Sequence, residues 1–417
     1  MIQEKRIALR NSGLINPESI DDYLQSGGYQ ALAKALTMEP SVVFEEIINS
    51  GLRGRGGAGF PTGIKGKSTA QSCVECLKYV VCNADEGEPG TFKDRIIMET
   101  DPHSLVEGML IAAWSVGASK GYVYIRGEYH LSIDRVKRAI EQAESKGFIG
   151  EGILNTDFNC TLEVKPGGGS YLCGEELTLL ESLEGKRGYP RIKPPFPAQK
   201  GLWGQPTLIN NVETLANFAP IILFGANWYR SFGSEKSPGT KIFTISGDVN
   251  VPGHYEVSMG ITLDDLINQF GGGVKGGNSI KAILLGGAAG TFASAKHLGV
   301  SLDYDSLKEY GLTLGSGAVV VMNESRSILD MLSLILNFFK HESCGKCIPC
   351  RIGTVHTLEM LENLKMKNPK ERESAFLSII NQAEVMAKTS LCPLGQSPIL
   401  PLKSAWANFS EELTNPS

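Results

Sequence analysis

Four cysteines near the C-terminus are spaced for metal chemistry. The run Glu342-Ser343-Cys344-Gly345-Lys346-Cys347-Ile348-Pro349-Cys350-Arg351 sets three thiols two residues apart, and Cys392 follows in Leu391-Cys392-Pro393-Leu394-Gly395. Three thiolates from one short loop and a fourth from elsewhere in the fold can close around a cuboidal [4Fe–4S] cluster. Gly345 and Pro349 suit a tight loop whose backbone N–H groups point at the sulfurs. A zinc knot and plain buried thiols are the alternatives, but zinc sites usually pair their ligands as two separated knuckles. The spacing therefore predicts a chain that carries electrons.

Four further stretches could hold a polar or anionic ligand. Gly54-Arg55-Gly56-Gly57-Ala58-Gly59 has the letters of a dinucleotide fingerprint without its context. That fingerprint follows a strand and opens a helix. Here a helix precedes, and Phe60-Pro61-Thr62-Gly63 is expected to keep the chain irregular. A structural glycine turn is the plain alternative. Against it, Arg53, Arg55, Lys65 and Lys67 put positive charge beside small residues that let a ligand approach the backbone. Asn83-Ala84-Asp85-Glu86-Gly87-Glu88-Pro89-Gly90 lies just past the end of a predicted strand, where ligands sit in open α/β sheets. Its side chains could accept from ribityl or ribose hydroxyls, or could make a solvated turn. Segment 166–176 (PGGGSYLCGEE) repeats the logic, and Asn210-Asn211-Val212-Glu213-Thr214 reads as a helix N-cap region able to hold phosphate. Cys73-Val74-Glu75-Cys76 is a second CxxC. Metal or redox chemistry is one reading of it and free thiols the simpler one, while Cys160 and Cys173 read as buried packing residues.

The elements that must position these residues follow from periodicity. The first fifty residues read as amphipathic helix, with Val42, Val43, Ile47 and Ile48 on one face. Strands at 79–82, 122–125 and 161–164 alternate with helices at 105–116, 133–143 and 175–183, which implies a parallel sheet covered by helices. A Pro-rich link over 190–206 leads to a helix starting near Asn211. From Lys241 the texture changes to short alternating strands, a turn at 250–253, a short helix ended by Gly271-Gly272-Gly273, and strands at 280–285 and 318–322. That pattern resembles a small ubiquitin-like β-grasp module. Four apolar stripes then read as a four-helix bundle: Ile328 to Phe339, Leu358 to Leu364, Phe376 to Met386, and Leu402 with Trp406 and Phe409. The cysteine triad falls between the first two helices and Cys392 between the last two, so one bundle end can gather all four thiols. The expected fold is α/β: a Rossmann-like parallel-sheet domain with N-terminal helices over 1–240, a β-grasp domain over 241–325, and a cluster-bearing helical bundle over 326–417.

Composition bounds the function. The 417 residues carry a net charge of −5, which argues against nucleic acid as a bulk partner. Nine cysteines, an odd count in a large chain, fit a reducing compartment better than a disulfide framework. Neither a signal peptide nor an apolar stretch long enough to span a bilayer is visible, since 328–339 is short and holds Asp330 and Asn337. The expected location is cytoplasmic, with no direct membrane insertion and with a peripheral place on a membrane complex as an option.

Together these segments resemble one family: the NADH-binding flavoprotein (F-type) subunits of respiratory complex I, with the related diaphorase subunits of NAD-linked soluble hydrogenases and formate dehydrogenases. The resemblance runs through 52–65, 83–95, 171–176, 182–187, 194–206, 209–216 and 341–351 and covers nearly the whole chain. It implies FMN, a [4Fe–4S] cluster and NAD(H). By resemblance, Gly54, Arg55, Gly56, Gly57, Lys65, Asn83, Asp85, Glu86, Gly174, Glu175, Asn210, Asn211 and Thr214 form the FMN cradle. Phe60, Tyr171 and Phe196, with the positioning carboxylates Glu88 and Glu176, take NADH, and Cys344, Cys347, Cys350 and Cys392 hold the cluster. A flavin suits the place between a hydride donor and a one-electron cluster, and hydride transfer requires no protein base; no general base is nominated. The implied partners are a thioredoxin-like [2Fe–2S] subunit and a further iron–sulfur subunit of a hetero-oligomer.

The departures are local. The family loop commonly continues Gly-x-Lys-Trp with another aromatic two residues on, whereas this chain reads Gly63-Ile64-Lys65-Gly66-Lys67-Ser68. Two aromatics are missing. The primary reading is an NADH dehydrogenase subunit of complex I type. The alternatives are a diaphorase subunit of a soluble hydrogenase or formate dehydrogenase, with electron bifurcation as an option, and a non-catalytic scaffold that keeps only the cluster.

Overall fold

The computed structural model describes residues 2–73 and 76–415. Strands β1 (Tyr79–Ala84), β2 (Lys120–Ile125), β3 (Thr161–Pro166) and β4 (Thr207–Asn211) form a wholly parallel sheet in the order β3-β2-β1-β4. Tyr79-Val80-Val81-Cys82 is buried on both faces, as a strand covered by helices on each side must be. The Pro102–Val116 helix is the central cover, with only Trp114 not fully buried. It starts where Asp101 accepts the Ser104 N–H behind Pro102, and it stops at Gly117, whose φ of +72° ends the right-handed turn. The Glu107 carboxylate buried within it is satisfied by the Tyr23 hydroxyl at 2.5 Å and the Leu32 N–H at 3.0 Å, which ties the N-terminal helices to the sheet.

Three expectations are corrected. The Pro40–Asn49 helix buries Val43, Phe44 and Ile47, while Val42 and Ile48 lie at 43% and 38% exposure, so its core face is narrower than predicted. Residues 62–71 are not irregular but form a helix, Thr62–Gln71. A Cβ on Gly63 or Gly66 would overlap Ile48 or the ring of Phe44. The two glycines thus let this helix press against the Pro40–Asn49 helix, and tertiary packing overrides their poor helix propensity. The ring of Phe44 lies directly against Gly66. The third correction is β4, a strand between the Pro-rich link and the helix expected near Asn211, where periodicity predicts none.

A second, mixed sheet follows, with β5 (Thr240–Gly247), β6 (Gly253–Ser258), β7 (Ile280–Leu285), β8 (Thr291–Ser294) and β9 (Ala318–Asn323) in the order β6-β5-β9-β7-β8. β5 and β9 pair in parallel and the remaining pairs are antiparallel. The N-terminus crosses to this sheet: the Lys5 N–H donates to the Glu256 carbonyl, and the buried Glu256 carboxylate accepts from the Ala8 and Leu9 N–H groups. The helices Ile328–Glu342, Ile348–Leu364, Pro369–Thr389 and Ile399–Thr414 share one core, in which Leu332, Leu361, Phe376 and Leu402 are fully buried. Among the described residues, no helix is long and apolar enough to cross a membrane.

Candidate functional site

A cavity of about 570 Å³ opens at the ends of β1 and the edge strand β4, between β4 and the Thr62–Gln71 helix. The chain leaves β1 toward β2 and β3 on one side and returns from β3 to β4 on the other. The strand order therefore reverses between β1 and β4, a topological switch point, which is the expected ligand position in an open α/β sheet. The glycine loop forms one wall. Gly54 N–H donates to the Phe60 carbonyl at 2.8 Å, closing the loop on itself. Gly59 has a φ of +63°, and a Cβ there would lie 2.5 Å from the Tyr304 ring. Gly56 backs onto Asn211, with room for a Cβ only at 3.1 Å.

Most of the predicted residues converge on this cavity. Gly54, Gly56, Gly57 and Lys65 line it, as do Asn83 from β1 and Gly174 and Glu175 from the third segment. Asn210, Asn211 and Thr214 line it beside the glycine loop, and Phe60, Glu176 and Phe196 complete the lining. Phe60 and Phe196 are 47% and 52% exposed, far more than packed core aromatics. Asn83 is held by its own Nδ2, which donates to the Gly174 carbonyl at 2.8 Å.

Five residues of the expected FMN and NADH sets, Arg55, Asp85, Glu86, Glu88 and Tyr171, are not on the cavity wall. The Arg55 guanidinium is fully buried and donates to the Thr240 and Pro238 carbonyls and the Tyr229 hydroxyl. Arg53 pairs with Asp305 at 2.8 Å and stacks 4.4 Å over Tyr304. The arginine charge therefore braces the loop instead of facing a ligand. Glu86 caps the Lys93–Thr100 helix, accepting from the Asp94 and Arg95 N–H groups. Burial, and then the charge of Asp94, pushes its carboxyl up to about 7. Glu88 and Tyr171 bond to each other at 2.6 Å, Glu88 also accepts from the Ala289 N–H at 3.1 Å, and the Tyr171 N–H donates to Glu342. That pair links the cavity loop to the second sheet and to the helix leading into Cys344. Asp85 lies behind Gly174, where burial pushes its carboxyl up to about 7.

The fit to a bound flavin nucleotide can be tested on unpartnered polar atoms. Among the described residues, Asp85 Oδ2 and Asn210 Nδ2 are buried without a hydrogen-bond partner. One donor on the cavity wall and one acceptor behind Gly174 are thus left for a polar ligand such as FMN to satisfy, since buried polar groups ordinarily find partners. Sequence reasoning misses Lys193, which bonds Glu175 and Glu176 at 2.8 Å each while Lys65 holds Glu176 at 3.1 Å. Burial works against the Glu176 charge, but the two lysines outweigh it and hold the carboxyl below its ordinary range. The signal lies in Lys193-Pro194-Pro195-Phe196, a cation three residues before an aromatic of the expected nucleotide site.

Beneath the cavity floor lies a buried ion network. Glu213 bonds Lys241 at 2.6 Å and Lys93 at 3.1 Å, and Lys93 bonds Asp94 at 2.7 Å. Asp94 in turn accepts from Asn211 Nδ2 at 2.7 Å. This chain of contacts fixes the Asn211 side chain and joins the parallel sheet to β5.

The four cysteines share one core with Tyr171 and Phe338. Gly345, with a φ of +76°, turns the loop, and Cys347 opens the Ile348–Leu364 helix ahead of Pro349. A Cβ on Gly395 would lie 2.8 Å from Cys350 Cβ, so the Cys392 segment is pressed onto the triad. Among the described residues, no three His, Cys, Asp or Glu side chains close around a single-ion point. Burial pushes the Cys350 and Cys392 thiols up to about 11 and about 12; neighbouring cysteine charge adds to this in both. Four mutually repelling thiolates need a cationic core, which an iron–sulfur cluster supplies. Pro393, next to Cys392, lines the cavity. Cys73 and Cys76, for which free thiols are the simpler expectation, are instead disulfide-bonded to each other, because the chain brings their Cα atoms to 5.5 Å.

Residues 47–219 match the Nuo51 FMN-binding domain, 241–321 the SLBB domain, and 330–416 the NADH-ubiquinone oxidoreductase-F iron-sulfur binding region. The NADP-reducing hydrogenase subunit HndC of Solidesulfovibrio fructosivorans is 46% identical over 98% of this chain and 83% of its own length. An F-type NADH-quinone oxidoreductase subunit of Rhizobium meliloti is 44% identical over 97% of this chain and 96% of its own. A chain of an NAD+-reducing [NiFe]-hydrogenase in the H2-reduced state superposes with a TM-score of 0.85 at 33% identity, covering all of this chain and 68% of that one. With these matches over almost its whole length, the chain belongs to the family of FMN- and iron–sulfur-binding F-type subunits of NADH-quinone oxidoreductases and their hydrogenase counterparts.

Proposed function

We propose that this chain oxidises NADH at the cavity and passes single electrons outward through the centre at Cys344, Cys347, Cys350 and Cys392. The observation that carries the reading is the shared wall: Pro393 lines the cavity and its neighbour Cys392 belongs to the cysteine core. FMN, when bound, supplies the exchange between two-electron hydride chemistry and one-electron transfer. The protein's part is placement. Gly54, Gly56, Gly57 and Gly174 let a flat ligand lie against backbone. Asn83, Asn210, Asn211 and Thr214 offer hydrogen bonds along the cavity, with Asp85 as an acceptor behind Gly174. Phe60 and Phe196 flank the mouth as stacking surfaces for an adenine, and Glu176, held between Lys65 and Lys193, faces the nucleotide there. Arg55, Glu86, Glu88 and Tyr171 act one layer back by fixing loops.

The chain divides into a nucleotide domain over 1–240, a β-grasp domain over 241–325 and a four-helix bundle over 326–417. It works as one subunit of a hetero-oligomer, with a thioredoxin-like [2Fe–2S] subunit and a further iron–sulfur subunit as electron partners, on the cytoplasmic side. Flavin and iron analysis of anaerobically purified protein, with NADH-dependent dye reduction, tests the reading. One FMN and one four-iron cluster per chain with turnover is the expected result. Zinc in place of iron, or no flavin after reconstitution, overturns it.

A further inference from the structure

The Cys73–Cys76 disulfide stands outside every role assigned above. The other seven cysteines are free. Both sulfur-bearing residues are half-buried, with Gln71, Ser72 and Leu77 exposed around them, so an external thiol can reach the bond. In a reducing compartment, which the cysteine count predicts for this chain, disulfides that do form are commonly transient and catalytic or redox-sensing.

Its position is what gives the bond leverage. Cys73 directly follows Ser72, the C-cap of the Thr62–Gln71 helix, and two residues separate Cys76 from β1. The connection therefore joins two walls of the cavity, one carrying Ile64, Lys65 and Ser68 and the other carrying Asn83. The helix is weak in itself. Its ten residues include Gly63 and Gly66, and its N-cap, Pro61, makes no side-chain hydrogen bond. Two contacts tie down its last turn: Lys78 Nζ donates to the Ala70 carbonyl at 2.7 Å, and Ser72 Oγ to the Thr69 carbonyl at 2.8 Å. The disulfide closes the stretch between those two ties.

We propose that Cys73 and Cys76 form a dithiol–disulfide switch that sets how firmly the Thr62–Gln71 helix is held, and through Lys65 and Ser68 how tightly the cavity binds nicotinamide nucleotide. The second half alone rests on the reading of the cavity as a nucleotide site. The exchange is a two-electron step. A thiolate of an external dithiol carrier attacks one sulfur, the S–S bond breaks as a mixed disulfide forms, and the carrier's second thiol resolves it. The carrier leaves oxidised, and two electrons and two protons remain on Cys73 and Cys76. The closed bond ties Cys73, next to the helix C-cap Ser72, to Cys76 ahead of β1, and a cross-link removes open states from the chain, so the helix end opens locally less often. Reduction restores that freedom.

The test uses the full chain with its flavin and cluster, poised anaerobically in glutathione buffers of different ratio. As the buffer becomes reducing, maleimide labels should appear on Cys73 and Cys76 together, amide exchange over 62–72 should quicken severalfold, and the Kd for NADH should rise severalfold. Cys73→Ser/Cys76→Ser should show the fast exchange and the weak binding at every ratio. Labelling without any change in exchange over 62–72 in the parent overturns the switch, and this comparison needs no variant to fold. A change in exchange with an unchanged Kd overturns the link to nucleotide binding. Absence of NADH binding at all ratios would instead count against the nucleotide reading, and the exchange data would still decide the switch.

Discussion

Gly59→Ala is the sharpest perturbation of the glycine loop. At φ +63° a Cβ costs about 1–2 kcal/mol by itself. It would also lie 2.5 Å from two carbons of the Tyr304 ring, and that ring cannot swing away freely. Its hydroxyl donates to the Gly54 carbonyl at 2.8 Å, and the Arg53 guanidinium lies 4.4 Å over its face while Arg53 Nε donates to the Gly59 carbonyl at 2.8 Å. Overpacking adds about 1–3 kcal/mol, and a broken Tyr304–Gly54 bond about 1 kcal/mol. Because the terms share atoms, the expected loss is about 3–5 kcal/mol rather than their sum, a large part of the roughly 5–15 kcal/mol that holds a typical domain. Urea denaturation gives the stability, and flavin content per chain gives the cavity; Gly59→Ala should lose both. Tyr304→Phe should cost only about 1 kcal/mol. In Gly59→Ala/Tyr304→Ala the clash is gone and the backbone strain remains, so the cycle should show a coupling of about 1–3 kcal/mol in the relieving sense. Gly59→Ala protein within about 0.5 kcal/mol of the parent and carrying full flavin would refute the placement of Tyr304 behind the loop.

Cys347→Ala should abolish the cluster while NADH still bleaches the flavin in rapid mixing, because Pro393 alone among the residues lining the cavity comes from the cysteine-bearing helices; loss of bleaching with FMN retained would show deeper dependence. Glu176→Gln should improve kcat/KM for NADPH more than it alters that for NADH, by less than an isolated carboxylate would allow, since Lys65 and Lys193 already offset its charge; an NADPH rate that does not move removes Glu176 from the ribose site. Glu88 is expected to have no such effect, being committed to Tyr171 and Ala289. Asp85, buried with its carboxyl raised to about 7, stabilises the flavin-free fold only while protonated. That contribution is full below about pH 4 and is lost as pH rises to 7, by roughly 4 kcal/mol at most. Urea midpoints of the flavin-free parent should therefore fall relative to Asp85→Asn between pH 4 and 7.5, and parallel profiles would place Asp85 in water.

Chemistry and periodicity carried much of this protein in its sequence alone. The cysteine spacing needs only a short loop and one distant partner, and it announces a thiolate cage before any fold is known. The strands β1 to β3 and the C-terminal helices were legible because burial on one or both faces writes itself into the order of apolar residues. What the sequence could not decide were matters of proximity. β4 is five residues long, emerges from a Pro-rich link and ends in two asparagines, so it has no period to read; yet its pairing beside β1 creates the switch point where the cavity lies. Thr62–Gln71 was hidden by its glycines, whose value appears only once Phe44 and Ile48 lie against them. Arg55, Glu86 and Glu88 are polar letters in a ligand-like motif, but their partners lie up to 201 residues away, and only those partners turned them from ligand contacts into braces. Residue type sets which chemistry a side chain can do, and distance in three dimensions, which no local pattern encodes, sets with whom it does it.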